Sequence, residues 1–286
     1  MSHGISNTKR KAVLRIFFCL LLFEVTLFVF SGVSFSFLQG DRFFQLGADP
    51  FSWLVYGLNL PQFILKHYWI GFTLDISIIV LFLLFIRNPF SHGLALVLFI
   101  LLFVFYICLM GYLTHRNYQA GFFMVLIPFI FKKDINKAFA FEAVRYFLLF
   151  FYLSAALLKF TNGSLLDPAH LSHMISGQFS AYFLEGNTGF RTHLNSYLMN
   201  HEKTGYLLYS GSFLVELSVI FGFFTKRYDK LIAVLLLVFH LTNWLIMDIA
   251  PFGQITFISL LFISHSFKVR QDQVVDRQLK NGLTIL

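Results

Sequence analysis

Long apolar runs dominate the sequence and place strong limits on what the chain can fold into. A helix needs about 20 mostly apolar residues to cross a bilayer, and only helices and closed barrels satisfy all their backbone hydrogen bonds there. We therefore predict an all-α, polytopic transmembrane helix bundle of about eight spans. The fourth and eighth are short, and short spans either tilt less or sit partly within the protein. The predicted spans lie near 12–34, 67–86, 93–113, 118–131, 140–159, 206–225, 230–248 and 252–267.

The composition favours the bilayer as the solvent of this chain. Of its 286 residues, 57% are hydrophobic and 13% are charged, and the mean hydropathy is +0.72. A water-soluble fold of this size needs more charge to cover its surface. The 40 Phe and 12 Tyr suit either contact with lipid or a cavity lined with rings, and composition leaves both uses open.

The N-terminal apolar run follows Lys9, Arg10 and Lys11, an arrangement that secretory signal peptides share. The run continues past Val29 and lacks a convincing small-x-small cleavage site. We therefore interpret it as a retained first span.

The basic residues form short clusters between the apolar runs, although the formal net charge is +8. Such clusters orient membrane proteins, which argues against a nucleic-acid partner. With eight spans, all clusters fall on one side, so both termini are predicted to be cytoplasmic, at the cell membrane if the chain is bacterial. Residues 268–286 are then a short cytoplasmic tail. The clusters are Lys9, Arg10 and Lys11; Lys132, Lys133 and Lys137; Lys226, Arg227 and Lys230; and Lys268 and Arg270.

A long connection between the fifth and sixth spans carries a helical pattern of its own. Asp167 and Pro168 are typical of a helix start, with Asp as the N-cap and Pro at the first helical position. The pattern predicts an amphipathic helical segment over 164–201 that lies on the non-cytoplasmic face and covers the bundle. Its apolar residues recur at spacings of three and four: Leu171, Met174, Ile175, Phe179, Tyr182 and Phe183.

Ionisable residues inside spans are costly, so each is expected to be paired or functional. Arg15 and Glu24 lie on the first span, too far apart for a direct bond. Glu142 and Arg145 are three residues apart on the fifth span and are predicted to form a structural pair. Asp75 and Glu216 are expected to face the bundle interior, either as hydrogen-bond acceptors or as functional groups.

Lys159 ends the fifth span and has two interpretations. A lysine at the end of a span commonly extends its head group to the interface. However, Ala155 and Ala156 allow another helix or a small molecule to approach closely, and the amphipathic segment follows at once. A lysine that is withdrawn from water, with no carboxylate beside it to hold it charged, can lose its proton and act as a base.

His240 and Asn243 share one face of the seventh span. No second ligand follows His240 one turn later, and Cys19 and Cys108 lack CxxC spacing, so we predict no metal site and no disulfide framework. The two open readings of His240 are a buried, hydrogen-bonded structural residue and a group that orients a substrate or carries a proton.

Five short motifs occur in the order found in one family of membrane domains. They are Val-Leu-Arg15-Ile-Phe-Phe, His115-Arg116-Asn-Tyr118, the segment from Tyr152 to Lys159, Glu216-Leu-Ser, and Phe239-His240-Leu-Thr-Asn243. In order and spacing the chain resembles the HTTM domains, whose best-known member is the vitamin K-dependent gamma-glutamyl carboxylase. The resemblance covers about Lys9 to His265 and implies that 1–267 is an HTTM-like transmembrane domain, here as a standalone member without the carboxylases' C-terminal domain.

The resemblance also implies a site. A lysine that matches Lys159 is the carboxylases' base in the oxygenation of vitamin K hydroquinone, and a histidine lies in the motif that matches Phe239 to Asn243. Lys159 and His240 are thus the implied catalytic residues, and a quinone or hydroquinone is a possible cofactor. The implied cofactor-binding residues are His115, Arg116, Tyr152 and Asn243.

Two functions remain open at this point. The first is a membrane-embedded enzyme, carboxylase-like, lyase-like or quinol-dependent, that acts on a lipophilic cofactor or a membrane-presented peptide. The second is a non-enzymatic membrane partner or maturation factor for a secreted peptide or protein. A transporter is third, because no two spans show the matched Gly/Pro interruptions that mark broken-helix sites.

Overall fold

The computed structural model describes residues 7–30, 34–37, 57, 59–110, 121–184, 189–249 and 253–263, and every regular element within these ranges is helical. The all-α prediction is confirmed for this part of the chain. Short 3₁₀ turns, Ser164–Leu166 and Lys226–Tyr228, precede α8 and α12. In chain order the helices are α1 (Asn7–Phe30), α2 (Leu60–Lys66), α3 (Tyr68–Arg87), α4 (His92–Met110), α5 (Gly121–Met124), α6 (Ile127–Ile130), α7 (Asp134–Thr161), α8 (His170–Leu184), α9 (Phe190–Asn200), α10 (Glu202–Ser218), α11 (Ile220–Phe224), α12 (Asp229–Met247) and α13 (Gln254–Ile263).

Four described helical stretches are long and apolar enough to cross a membrane: Tyr68–Arg87, Asp134–Thr161, Glu202–Phe224 and Lys226–Met247. Their outer surfaces carry large exposed apolar side chains, among them Phe150, Leu158 and Phe224. A water-soluble protein rarely leaves so much apolar surface uncovered. The chain is therefore an integral membrane protein, whereas the number of eight spans stays a prediction.

The two short predicted spans differ in the structure that they adopt. The region predicted at 118–131 contains two helices of four residues each, α5 and α6, because Pro128 lacks an N–H and fits only the first turn of a new helix. The region predicted at 252–267 contains α13, a ten-residue helix in which seven residues are buried. It sits largely within the protein, which is the second of the two possibilities for a short span.

Buried aromatic rings join the centre of the bundle. Phe18 of α1 meets Phe85 of α3 and Phe129 of α6 edge to face, at centroid distances of 4.5 and 4.9 Å. All three rings are almost wholly buried. This geometry is favoured by the ring quadrupoles, so part of the Phe content builds the core.

Asp75 and Glu24 are buried, and each holds the backbone of another segment. Asp75 accepts hydrogen bonds from the N–H groups of Phe35 and Ser36 at 3.0 and 2.9 Å. Glu24 accepts from the N–H of Thr256 at 3.1 Å and from its hydroxyl, in the first turn of α13. The prediction that Asp75 faces the interior is confirmed, and its contacts are structural. Arg15 is exposed.

Arg145 is buried and joins α7 to α11 and to the first residue of α12. Its guanidinium makes two bonds to the carboxylate of Asp229, at 2.8 and 2.6 Å, and one to the carbonyl of Gly222 at 2.6 Å. The predicted pair with Glu142 is present at 4.0 Å but is secondary. Glu142 instead accepts a hydrogen bond from Lys226, which belongs to the third basic cluster.

The bundle therefore has two chemically different ends. Helix α7 has 28 residues and is about 42 Å long. Glu142 and Lys226 lie near its start, and Lys159 lies in its last turn. We call the first the basic end and the second the roof end.

Candidate functional site

The segment that covers the roof end is helical, as predicted. Helix α8 begins at His170, slightly later than the Asp167 and Pro168 pattern indicates, although the Asp167 carboxylate does accept the N–H of Ala169 at 3.0 Å. Three of the predicted apolar residues, Leu171, Ile175 and Phe179, are buried. Met174 is exposed, Phe183 is partly buried, and the side chain of Tyr182 lies outside the described residues.

Helices α8 and α9 form the roof of the bundle, and their polar side chains bind the C-terminal end of α12. Gln178 donates to the carbonyl of Met247 at 2.5 Å. Arg191 donates to the carbonyls of Leu245 and Trp244 at 3.1 and 3.3 Å and pairs with Asp248 at 2.8 Å. A cation near helix carbonyls that lack intrahelical partners is favourable. The roof is thus joined to the same turn of α12 that packs beneath it.

Lys159 points inward beneath the start of this segment. Its Nζ lies 2.8 Å from Oε2 of Glu216 and donates to Oγ of Ser212 at 3.1 Å. The rings of Tyr209 and Phe239 flank the ammonium group at 5.2 and 5.4 Å from their centroids. The side chain is 21% exposed, so it does not reach outward as an interfacial lysine would.

The carboxylate beside Lys159 departs from what a lysine base was expected to have. A base was expected to lie away from any carboxylate that keeps it charged, yet Glu216, 4% exposed, is in ion-pair contact. The prediction that Glu216 faces the interior is confirmed, and its partnership with Lys159 was missed because the two residues lie on different helices.

Tyr152 and His240 form a second polar pair in the same region. The Tyr152 hydroxyl and Nε2 of His240 are 2.6 Å apart, and both residues are buried. Tyr152, Ala156 and Lys159 share one face of α7, and Ala156 is completely buried where the helices approach closely. His240 contacts α7 through this hydrogen bond.

A cavity of about 270 Å³ lies between α10 and α12, under Leu171 of the roof. Of the predicted cofactor-binding residues, Asn243 lines it, Tyr152 contacts His240 instead, and His115 and Arg116 lie outside the described residues. The lining residues nearest Lys159 are the three that contact it: Tyr209, Ser212 and Phe239. The ammonium group is therefore one side chain away from the cavity.

The arrangement combines three chemical properties. An amine with a bound carboxylate can donate and recover a proton, the Tyr152 and His240 pair can orient or carry one, and the cavity is lined mostly by apolar groups. Within the described residues, no three His, Cys, Asp or Glu side chains are grouped so that they would hold a metal ion.

Sequence reasoning had placed Lys159, His240 and Asn243 at the site, and the structure brings them to one end of the bundle. It did not single out Ser212 or Tyr209. Their spacing to Glu216 on one helix face was the available signal, since residues at i, i+3 and i+7 point the same way.

In comparisons of the chain with models of protein families, with curated proteins and with solved structures, none matched. The resemblance to HTTM domains therefore stays a prediction from the residues quoted above.

Proposed function

We propose that this integral membrane protein is an enzyme that binds a lipophilic, quinone-like molecule in the cavity between α10 and α12. Lys159, held by Glu216, is the proton-transfer residue, and His240 supports it through Tyr152. Chemistry of this kind is what the resemblance to carboxylase-like HTTM domains implies for Lys159 and His240.

The observation that carries the proposal is the position of the cavity against the charged pair. Intramembrane ionisable residues are functional by default, and here the pair lies directly behind Tyr209, Ser212 and Phe239. A mostly apolar pocket with a few convergent polar groups is the usual form of a small-molecule site. The volume of 270 Å³ is near the lower limit of such pockets, about 300 Å³, and fits a ring system better than a peptide.

The rim of the cavity favours a ligand that arrives from the bilayer. Leu207 on α10 and Val238 on α12 line the cavity and are 71% and 56% exposed. Both belong to helical stretches that can cross a membrane, so their exposed surfaces face hydrocarbon. A membrane-dissolved molecule can therefore reach the cavity between the two helices without crossing the roof.

Binding of 1,4-naphthoquinone to the protein in lipid nanodiscs tests the proposal. Gly211 lines the cavity, and no heavy atom lies within 4 Å of where its Cβ would be, so Gly211→Leu fills the space without a backbone clash. We expect the unaltered protein to bind the quinone. Gly211→Leu should weaken the affinity at least about tenfold, which corresponds to about 1.4 kcal/mol of binding free energy. Gly93→Leu is the matched control, because Gly93 lies on α4, has equal room and lies outside the cavity. Equal affinities in the two variants would reject this cavity as the site.

The orientation is a further part of the proposal. The basic end faces the cytoplasm, both termini lie there, and the roof end faces the opposite compartment, as the positive-inside rule requires. In a chain with Cys19→Ser and Cys108→Ala, a membrane-impermeant thiol reagent added to whole cells should label Ser176→Cys of the exposed roof and not Lys230→Cys. The reverse labelling would invert the topology.

The second candidate function is a non-enzymatic partner or maturation factor for a secreted peptide. The observation in its favour is the ion pair itself, because Glu216 and Ser212 satisfy the Lys159 ammonium as they would in a purely structural contact. Lys159→Arg separates the two functions, since arginine keeps the charge and does not release its proton. The enzyme requires loss of complementation in cells that lack the native protein, and full complementation at normal expression favours the partner function.

A further inference from the structure

One face of α10 gathers the groups that contact Lys159. Tyr209, Ser212 and Glu216 are three and four residues apart in succession, so they lie one above the other on the helix. The Lys159 ammonium contacts all three of these side chains. Tyr209 and Ser212 line the cavity, whereas Glu216 is not part of its lining.

Ser212 therefore lines the cavity, and its hydroxyl has two hydrogen-bond partners. Its Oγ accepts a hydrogen bond from Lys159 at 3.1 Å, and its own hydroxyl donates to the carbonyl of Tyr209 at 2.7 Å. A hydroxyl hydrogen rotates freely about the Cβ–Oγ bond, so it can point to another acceptor without moving the oxygen. The acceptor available on the cavity side is an atom of the ligand.

We propose that Ser212 connects the Lys159 and Glu216 pair to the cavity, and that these residues form a hydrogen-bonding relay that recognises a carbonyl oxygen of the ligand. The inference rests on the proposed function and adds the residue that binds the ligand's oxygen. Ser212 is the residue that touches the ligand, and Glu216 is a positioning residue that acts through Lys159.

The relay conserves atoms and charge. No covalent bond changes in it: Lys159 donates a hydrogen bond to Oγ of Ser212, and the Ser212 hydroxyl donates one to a lone pair of the ligand's carbonyl oxygen. The ammonium group draws electron density from the serine hydroxyl, which becomes a stronger donor and polarises the carbonyl bond of the ligand. Each proton stays on its own atom, and Glu216 stays paired with Lys159.

The charge balance explains why the ligand class is a neutral carbonyl. Lys159 and Glu216 cancel one another, so the site offers no net positive charge to an anionic head group. The site instead offers the Ser212 hydroxyl, which the Lys159 cation polarises. A hydrogen bond assisted by a charge is stronger than one between neutral groups.

The test uses 1,4-naphthoquinone labelled with ¹³C at both carbonyl carbons, bound to the nanodisc-embedded protein and observed by infrared spectroscopy. A hydrogen bond from Ser212 lowers the carbonyl stretching frequency below its value in protein-free bilayers. Ser212→Ala should return the band to the bilayer value and weaken binding about tenfold, whereas Ser212→Thr should retain the lowered band. Ser218→Ala is the control, since Ser218 lies on the same helix and donates to the carbonyl of Val215.

Glu216→Gln tests the same relay by changing the contact that holds Lys159. Loss of the carboxylate weakens the hold on the ammonium group, so the carbonyl band should move partway toward the bilayer value while the quinone stays bound. A band that is the same in the unaltered protein, Ser212→Ala and Glu216→Gln, with binding intact, would overturn the relay and leave the proposed function standing. Absence of quinone binding in the unaltered protein would reject both.

Discussion

The ion pair at the basic end yields a sharp prediction, because the same chemical change can be made at a buried and at an exposed aspartate. Asp229 is 0% exposed, and its two carboxylate oxygens accept hydrogen bonds from Nε and Nη2 of Arg145. Asp248 holds Arg191 at 2.8 Å, but both side chains are about one-third exposed. Asn replaces Asp with almost no change in shape and removes only the charge.

Asp229→Asn leaves a buried guanidinium whose nearest remaining carboxylate, Glu142, is 4.0 Å away and is shared with Lys226. Breaking a buried pair on one side costs about 3–5 kcal/mol. Asp248→Asn breaks an exposed pair, which is worth about 0–1 kcal/mol. Asn also tolerates the left-handed backbone at this position, where φ is 54°, so the control adds no strain.

The assay is equilibrium unfolding of each variant in mixed micelles, followed by the helical circular dichroism signal. The account predicts a difference of at least about 2 kcal/mol between the two free energies of unfolding, the smallest gap between these two ranges. A double variant, Arg145→Met with Asp229→Leu, should recover most of the loss because it removes both charges. Equal destabilisation by Asp229→Asn and Asp248→Asn would refute the reasoning.

Two further variants test the packing and the buried carboxylates. Gly222→Ala should destabilise the protein by about 1–3 kcal/mol, because its Cβ would lie 2.8 Å from a methyl group of Leu149, whereas Gly93→Ala has open space and should be neutral or stabilising in the same unfolding assay. Asp75→Ala should cost about 1–3 kcal/mol, since the buried N–H groups of Phe35 and Ser36 lose their acceptor, and Asp75→Asn, which keeps one acceptor oxygen, should cost less.

The fold was predictable where local pattern decides it. Apolar runs long enough to span a bilayer became long helices, and the three- and four-residue spacing of Leu171, Ile175 and Phe179 gave the buried face of α8. The break at 121–130 was less visible, because the apolar run is continuous and Pro128 alone marks the start of a new helix.

The partners of the charged residues were less accessible to sequence reasoning. Spacing of three predicted Glu142 with Arg145, but the closer partner of Arg145 is Asp229 on another helix. Lys159 was recognised as unusual, whereas its pairing with Glu216 was not, because i,i+3 and i,i+4 rules apply only within one helix. Contacts between helices depend on their packing, which the pattern of a single span does not determine.

Occupancy of the cavity tests the central claim most directly. Mass spectrometry of organic extracts from the protein purified from its native membrane should reveal a carbonyl-bearing, lipid-soluble molecule that co-purifies with the unaltered chain and with Gly93→Leu. The same molecule should be strongly depleted in Gly211→Leu, whose added side chain occupies the cavity. Identical extracts from all three proteins would contradict the claim that this cavity holds a ligand for Lys159 to act on.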